Sequence, residues 1–513
     1  MPDFFIPKSE KELTENIHVV NFALEKLPSQ IEELVSFIDS INNKAKTYLV
    51  GGSVRDSILS AKTGIDFQMK DFDLEVYGVE HRDLVSSLIE KYGSENVDPE
   101  TGKSFKIIKL KIEGIPDKVD IALPRTERKL ENSDNSSSRG RGIEPFPDPY
   151  LDQVVAVKRR DLTINSILYD PITKQIIDPY GGWYDLMNGV LRITDADSFR
   201  EDPLRVLRVA QFASRFGFKI HQDTINLCRD LVSSDVIDSL VRDRVADELD
   251  KLLIKGFAPS LGLKFLQEIG YLKKIMPEVS ILESIPQEPD YHPEGDVFTH
   301  TMQVVDAMAE IIRREKDSFD LDSDTKRALM LGALFHDLGK APKTIIDANG
   351  RITSYEHEEA GVPLAQNIIR RLYKTDIQAS KINQEDLILF LVSKHMTPIL
   401  LHEDALKGIN MTKGIRKFMY KCIQNNVSIE QISWIVEADK RGRNAENKNK
   451  PLSLEQKPDL EEALKWFAEF SKISIQDEIS KDISILDVPN FLKEINSRAV
   501  SYTHLTLPTI YSV

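Results

Sequence analysis

The sequence predicts a multi-domain chain in which a mixed α/β unit comes first and the remainder, from about residue 185, is mainly helical. Three observations carry this. Short β-rich runs punctuate residues 47–123: TYLV, DFDLEVYG (71–78), SFKIIKLKI (104–112) and KVDIAL (118–123), with a helical stretch across 81–91. From DSFREDPLRVLRVAQFASRFGF onward, apolar residues recur at helical spacing. The 513 residues, at roughly 150 per domain, leave room for three to four separate cores.

Composition narrows the function. Lys and Arg number 67 against 82 Asp and Glu, and the residues are 41% hydrophobic and 29% charged, which excludes collagenous, disulfide-built and wholly disordered chains. The net charge of −15 argues against indiscriminate coating of nucleic acid, yet leaves room for a local basic site. Cys228 and Cys422 form no CxxC pair, pointing to a reducing compartment and away from a structural zinc site. The opening residues carry acids and no long apolar run, and no stretch approaches 18 apolar residues. The expected location is cytoplasmic, with no membrane partner.

The elements follow in order. Apolar spacing over 9–43 predicts a helical N-terminal extension (1–44). The α/β unit spans 45–182, with a Ser, Gly, Pro and Asn-rich mobile loop at 130–150 and a hairpin-like segment at 166–182. Ser198 is the expected cap of the next helix, which opens a helical neck (185–270) and a further helical domain (271–445). A charged, Pro-containing break at 440–460 leads into a linker and helical tail (446–498). The last segment, AVSYTHLTLPTIYSV (499–513), resembles translated sequencing-adapter read-through and is expected to be non-native, with the true C-terminus missing.

The chemistry begins at Gly51-Gly52-Ser53-Val54-Arg55-Asp56, where the TYLV strand hands over to a helix. Two glycines let a phosphate approach the backbone, the helix start offers free N–H groups, and Arg55 adds a charged fork. Alone, such a turn is more often just a tight turn. Some 20 residues on, Asp71 and Asp73 alternate along a strand, so both carboxylates face one side while Phe72 faces a core. Two close like charges call for divalent cations between them, and with the glycine turn they assemble a nucleotidyltransferase site. Asp120 in KVDIAL is a weaker third carboxylate. In RRDLTIN, Arg159 and Arg160 read equally as surface arginines or nucleotide contacts. In EDPLRVLR, Asp202, Arg205 and Arg208 at i, i+3, i+6 of a helix would put one acceptor and two donor forks on one face. Cytosine and adenine both present an exocyclic amine beside a ring-nitrogen acceptor, which a carboxylate and a guanidinium match; uracil and guanine present a carbonyl there instead. Asp202 with Arg205 therefore suits CTP and ATP.

GGSVRD, DFDLEVYG, RRDLTIN and EDPLRVLRVAQFASRFGF, in this order, resemble the class II tRNA nucleotidyltransferase (CCA-adding) and bacterial poly(A) polymerase family over about residues 45–270. The resemblance implies a nucleotidyltransferase head, phosphate contacts at Gly52 and Arg55, Mg²⁺ ligands at Asp71 and Asp73, and nucleotide contacts at Arg160, Asp202, Arg205 and Arg208. It implies tRNA, CTP and ATP as partners, with the RNA along Arg208, Arg215 and Lys219. Some members have an arginine where this chain has Gln211, which leaves that contact in doubt. Farther on, His300, His336-Asp337 and Asp439 resemble the H…HD…D metal set of HD-domain phosphohydrolases, with His357 and His395 as auxiliary groups. Imidazole and carboxylate together suit a transition metal such as Ni²⁺, Co²⁺ or Mn²⁺. The sequence thus predicts CCA addition with a phosphohydrolase-like HD domain. The alternatives it leaves open are a poly(A) polymerase and an HD phosphohydrolase with an inactive head.

Overall fold

The computed structural model describes residues 18–21, 27–64, 72–99, 107–129, 143–316, 318–319, 321–372, 384–409, 412–453 and 456. By backbone contact the chain divides into two compact units, one running to Tyr271 and the other from Leu272. Among the described residues, no helix is long and apolar enough to cross a membrane.

The first unit is organised around a sheet of strands β1 (His18–Asn21), β2 (Lys46–Val50), β3 (Phe72–Tyr77), β4 (Val97–Asp98), β5 (Ile108–Leu110) and β6 (Val119–Ala122). A separate hairpin, β7 (Arg125–Lys129) with β8 (Ile143–Pro147), precedes the last two strands of the sheet, β9 (Leu168–Asp170) and β10 (Gln175–Asp178). The order across the sheet is β1-β10-β9-β2-β3-β6-β5-β4, with β3 and β6 parallel and the other neighbours antiparallel. β2 and β3 lie at its centre. Phe72, Leu74 and Val76 alternate onto one face of β3, while Glu75 and Tyr77 on the opposite face are buried too. Both faces of the strand are therefore covered, the condition under which DFDLEVYG loses a simple in-out pattern. The Ser29–Asp39 helix packs against β2 and buries Ile31, Leu34, Val35 and Ile38 at helical spacing.

Two expectations need correction. The N-terminal region is not one helix: β1 pairs with β10, His18 opposite Asp178, and the helix begins only at Ser29. β1 covers what would otherwise be the open edge of β10 and pairs with its main chain. The 130–150 loop is shorter than expected, because Ile143–Pro147 pairs with Arg125–Lys129; 130–142 lie outside the described residues. Beyond residue 185 the chain is mainly helical, as expected, with two short pairings between its helices, Val190–Leu191 with Lys219–Ile220 and Ile345–Ile346 with Ile352–Thr353.

The second unit packs helices Val297–Glu315, Ser323–Phe335, His357–Leu372, Glu385–Lys394 and Ile429–Arg441 around Met302, Val305, Leu329, Leu334, Leu391 and Ile435. Asp296 and Asp322 cap the first two, and Ser428 with Gln431 forms a capping box on the last. The tail from 457 and the 499–513 segment lie outside the described residues.

Candidate active site

β2 ends at Val50, and Gly51 turns the chain with φ 73° and ψ −134° directly into the Gly52–Thr63 helix. Glycine is required by conformation and by space. A Cβ on Gly51 would lie 3.3 Å from Asp73 Oδ2 and 3.9 Å from Arg160 Nη1, so the bare backbone leaves a cradle between a carboxylate and a guanidinium. Val50 is the cross-strand partner of Asp73, which is why turn and carboxylate meet. Asp73's other neighbour is Asp120 on β6, whose carboxylate is engaged by Lys109 Nζ at 3.0 Å. Asp71 lies outside the described residues.

One pocket collects Gly52, Arg55, Asp73, Arg160, Asp202, Arg205 and Arg208, while Asp120, Gln211, Arg215 and Lys219 are not part of its lining. Eight cationic side chains and five carboxylates line it, a local basic basin in an acidic chain. Arg55 is buried, donates from Nη1 to Asn165 Oδ1 at 2.6 Å and from Nε to Asp56 Oδ1 at 2.8 Å, and has its guanidinium 5.0 Å from the Phe216 ring centre. Its position beside Gly52 is thereby fixed. Arg159 and Arg160 both donate to Glu75 Oε2, at 3.0 and 3.3 Å, and Tyr77 donates its hydroxyl to Glu75 Oε1 at 2.7 Å. Burial pushes the Glu75 carboxyl up, but Arg160 and Arg159 outweigh it and keep it ionised.

The neck differs from expectation. Asp202 is not on the same helix as Arg205 and Arg208; it is the extended residue (φ −122°, ψ 94°) between helices Ala196–Glu201 and Arg205–Phe216. Pro203 follows it and disfavours the helical conformation at Asp202. The first of these helices is capped by Asp195, which accepts from the Ser198 N–H at 2.9 Å; Ser198 itself is inside the helix. Arg205 donates to the carbonyl oxygens of Ser198 and Arg159, at 2.5 and 2.6 Å, so its fork ties neck backbone to head backbone. The cation beside Asp202 is Arg244 Nη2 at 3.2 Å. Arg208 Nε donates to Asp161 Oδ2 at 2.6 Å, and Asn165 Nδ2 donates to Asp161 Oδ1 at 2.8 Å. Burial opposes ionisation of Asp161, yet Arg208 and Asn165 hold its carboxyl at about 2. Arg215 is paired with Asp56 at 3.0 Å, and Gln211 is buried.

The second unit brings His300, His336, Asp337 and Asp439 together, all buried, from the Val297–Glu315 and Ile429–Arg441 helices and the turn that follows Ser323–Phe335. His300 Nε2 is 3.1 Å from Asp439 Oδ1, 3.3 Å from His336 Nε2 and 3.7 Å from Asp337 Oδ2; His336 Nε2 is 3.2 Å from Asp337 Oδ2. His300 Nδ1 faces Glu294 Oε1 at 2.8 Å and the Gly442 carbonyl at 3.0 Å, while His336 Nδ1 donates to the Ala333 carbonyl at 2.8 Å. Each imidazole is thus turned so that Nε2 points inward. Gly339 allows the approach of the next element, since a Cβ there would lie 1.9 Å from the His357 carbonyl oxygen.

The profile of the "Poly A polymerase head domain" matches residues 47–192, that of the "Probable RNA and SrmB- binding site of polymerase A" residues 217–282, and that of the "HD domain" residues 297–457. The multifunctional CCA protein of Nitrosospira multiformis is 37% identical over 331 residues, 64% of this chain and 69% of that protein. This chain belongs to the multifunctional CCA protein family. The family member from Pasteurella multocida is 36% identical over 334 residues, again 64% of this chain and 69% of its own. The fold agrees with solved CCA-adding enzymes: an apo form has a TM-score of 0.56 at 19% identity over 92% of each chain. A complex with CTP has a TM-score of 0.53 at 19% identity, covering 92% of this chain and 90% of that one.

A nucleotidyltransferase of this family implies a divalent metal, and the residues present fit one. In the head, the cradle beside Asp73 is a space that a Cβ would fill. In the HD unit, donors about 2.1 Å from one ion stand about 3.0–3.4 Å apart, and most of the inward-facing pairs above match. Among the residues that the sequence did not single out are Glu75 and Arg244, and in the second unit Glu294 and His292, whose Nδ1 is 2.9 Å from Glu294 Oε1. Glu75 continues the 71, 73 alternation and could have been found; Arg244 is 42 residues from Asp202 and gave no local signal.

Proposed function

We propose that the first unit adds C and A nucleotides, from CTP and ATP, to the 3′ end of tRNA and releases pyrophosphate. The observation that supports this most is the single pocket holding the Gly51–Gly52 turn, Asp73 and Asp202 among a surplus of cationic side chains. The triphosphate lies on the free N–H groups that open the Gly52–Thr63 helix, flanked by Arg55 and Arg160. Glu75 keeps Arg159 and Arg160 directed at that end of the pocket. Asp71 and Asp73 would hold Mg²⁺, which would lower the pKa of the attacking 3′-hydroxyl and stabilise the leaving pyrophosphate. Asp202 accepts from the exocyclic amine of the base after releasing Arg244, and Arg205 exchanges a main-chain carbonyl for the ring nitrogen. The acceptor stem follows basic neck surface that includes Arg208, Arg215 and Lys219.

The HD unit carries a second activity in this reading, hydrolysis of a phosphomonoester or cyclic phosphodiester. Its buried donor set of two imidazoles and two carboxylates favours a transition metal such as Ni²⁺, Co²⁺ or Mn²⁺ over Mg²⁺. His300, His336, Asp337 and Asp439 would hold the ion, which would supply a Lewis acid and a water of lowered pKa.

Nucleotide choice tests the main reading. A tRNA lacking CCA is incubated with each of CTP, ATP, UTP and GTP alone, in the wild type and in Asp202→Ala. The expected result is incorporation of C, then of A on a CC-ended tRNA, with U and G refused, and loss of that choice in the variant. Unchanged discrimination by Asp202→Ala would contradict the role of Asp202.

A further inference from the structure

Asp56 follows Arg55 on the Gly52–Thr63 helix, and its two carboxylate oxygens serve two different guanidinia. Oδ1 accepts from Arg55 Nε at 2.8 Å, and Oδ2 accepts from Arg215 Nη2 at 3.0 Å. Arg55 belongs to the glycine cradle, whereas Arg215 lies near the far end of the helix that opens with Arg205. One small side chain therefore spans the joint between cradle and neck. The same two guanidinia meet again on an aromatic ring, since each is centred 5.0 Å from the Phe216 ring centre. Arg55 is also 5.2 Å from Phe212, whose ring stacks on Phe216 with 7° between the planes.

A guanidinium is flat, so two anchored nitrogens fix the direction of the third. In Arg55 the anchored pair is Nε, on Asp56, and Nη1, which donates to Asn165 Oδ1 at 2.6 Å. The third nitrogen, Nη2, faces the glycine turn, 3.4 Å from where a Cβ on Gly52 would stand. That is the edge offered to a phosphate lying on the turn. The two anchors differ in strength, because Asn165 is neutral while Asp56 makes a charge-assisted bond. Asp56 is held in turn from its other side. Arg215 engages Oδ2 and so sets the rotamer from which Oδ1 meets Arg55 Nε. The Asp56 side chain is 14% exposed and that of Arg215 29%, so water competes little for the carboxylate.

We propose that Asp56 and Arg215 are positioning residues for the triphosphate: the far end of the base-selecting helix, acting through the Asp56 carboxylate, holds the Arg55 Nη2 edge against the glycine cradle. This rests on the assignment of Arg55 to the triphosphate and deepens it. Neither Asp56 nor Arg215 lines the pocket, so their effect on a nucleotide passes through Arg55. The phosphates are common to CTP and ATP, so both nucleotides should feel it alike, and the choice of base at Asp202 should not.

The affinity of the full chain for CTP and for ATP is measured by calorimetry with Mg²⁺ and without tRNA, so that any contact of Arg215 with RNA does not enter. Asp56→Ala, Arg215→Gln and the double variant are treated alike, each with a thermal melt, and turnover on tRNA lacking CCA is followed at saturating nucleotide. Asp56→Ala should weaken CTP and ATP equally, by roughly tenfold, the worth of one charge-assisted hydrogen bond. Turnover at saturation should stay within about threefold of wild type, with U and G still refused. Arg215→Gln should weaken both nucleotides by a smaller factor and add nothing to Asp56→Ala in the double variant. A carboxylate acting only as a charge near the phosphates would have the opposite sign, because its removal would tighten CTP. Tighter binding by Asp56→Ala, or affinities equal to wild type in both folded single variants, overturns the proposal. Additive losses in the double variant overturn the link between the two residues. Should Asp56→Ala not fold, Arg215→Gln decides, being the more exposed position, and an unchanged affinity there sinks the proposal. A wild type that binds neither CTP nor ATP overturns the assignment of Arg55 itself.

Discussion

At the scale of single residues, carboxylates that lie close together in the head do different work. Asp73 stands beside the Gly51 cradle and is partly exposed, whereas Glu75 two residues on is buried against two arginines. Asp73→Ala should lower nucleotide addition on the order of 10³-fold or more, several kcal/mol of transition-state stabilisation, with the melting temperature unchanged. Addition near the wild-type rate would remove Asp73 from the reaction. Glu75→Gln should act on stability, since leaving Arg159 and Arg160 without their buried counter-charge costs about 3–5 kcal/mol. A chemical denaturation midpoint equal to wild type would contradict that. Asp161 provides a pH signature. Its carboxyl is held down at about 2 in the folded chain against about 3.9 unfolded, so its contribution is fully present above pH 4 and is lost as pH falls toward 2. The advantage of wild type over Asp161→Asn in thermal melts should therefore be flat near neutrality and shrink only in that acid window.

At the scale of elements, legibility followed chain proximity. GGSVRD and DFD were readable because a strand-turn-helix and a strand are local patterns, and β2 pairing with β3 brings them together through Val50 and Asp73. The helical spacing of Asp202, Arg205 and Arg208 misled, because Pro203 breaks the helix between the first and the other two. β1 was missed for another reason: four residues are too few to display a period, and the edge of β10 that stabilises them is more than 150 residues away. Glu75 with Arg159, and Asp202 with Arg244, are long-range pairs of ordinary residue types, invisible without the fold. The Pro203 break has a consequence for specificity. Pro203→Ala should let Asp202 enter the helix and swing its carboxylate away from Arg244, relaxing the preference for C and A several-fold in incorporation assays while leaving triphosphate binding in place. Unchanged preference would mean that the extended conformation of Asp202 is not what selects the base.

At the scale of the whole molecule, the chain carries two separate constellations in two compact units, the nucleotide pocket before Tyr271 and the His/Asp cluster after Leu272. They share no ligand residue, so effects at the two should be nearly additive. His336→Ala should abolish metal-dependent phosphoester hydrolysis and leave nucleotide addition within about twofold of wild type; loss of addition in a folded variant would mean that the two units are coupled. The central claim is that the first unit builds a defined C and A end rather than a tail. The most direct measurement is mass spectrometry of a tRNA lacking CCA after incubation with the full chain, CTP, ATP and Mg²⁺. The account predicts a product heavier by two cytidylates and one adenylate that grows no further; an unextended tRNA, or a long run of adenylates, would contradict it.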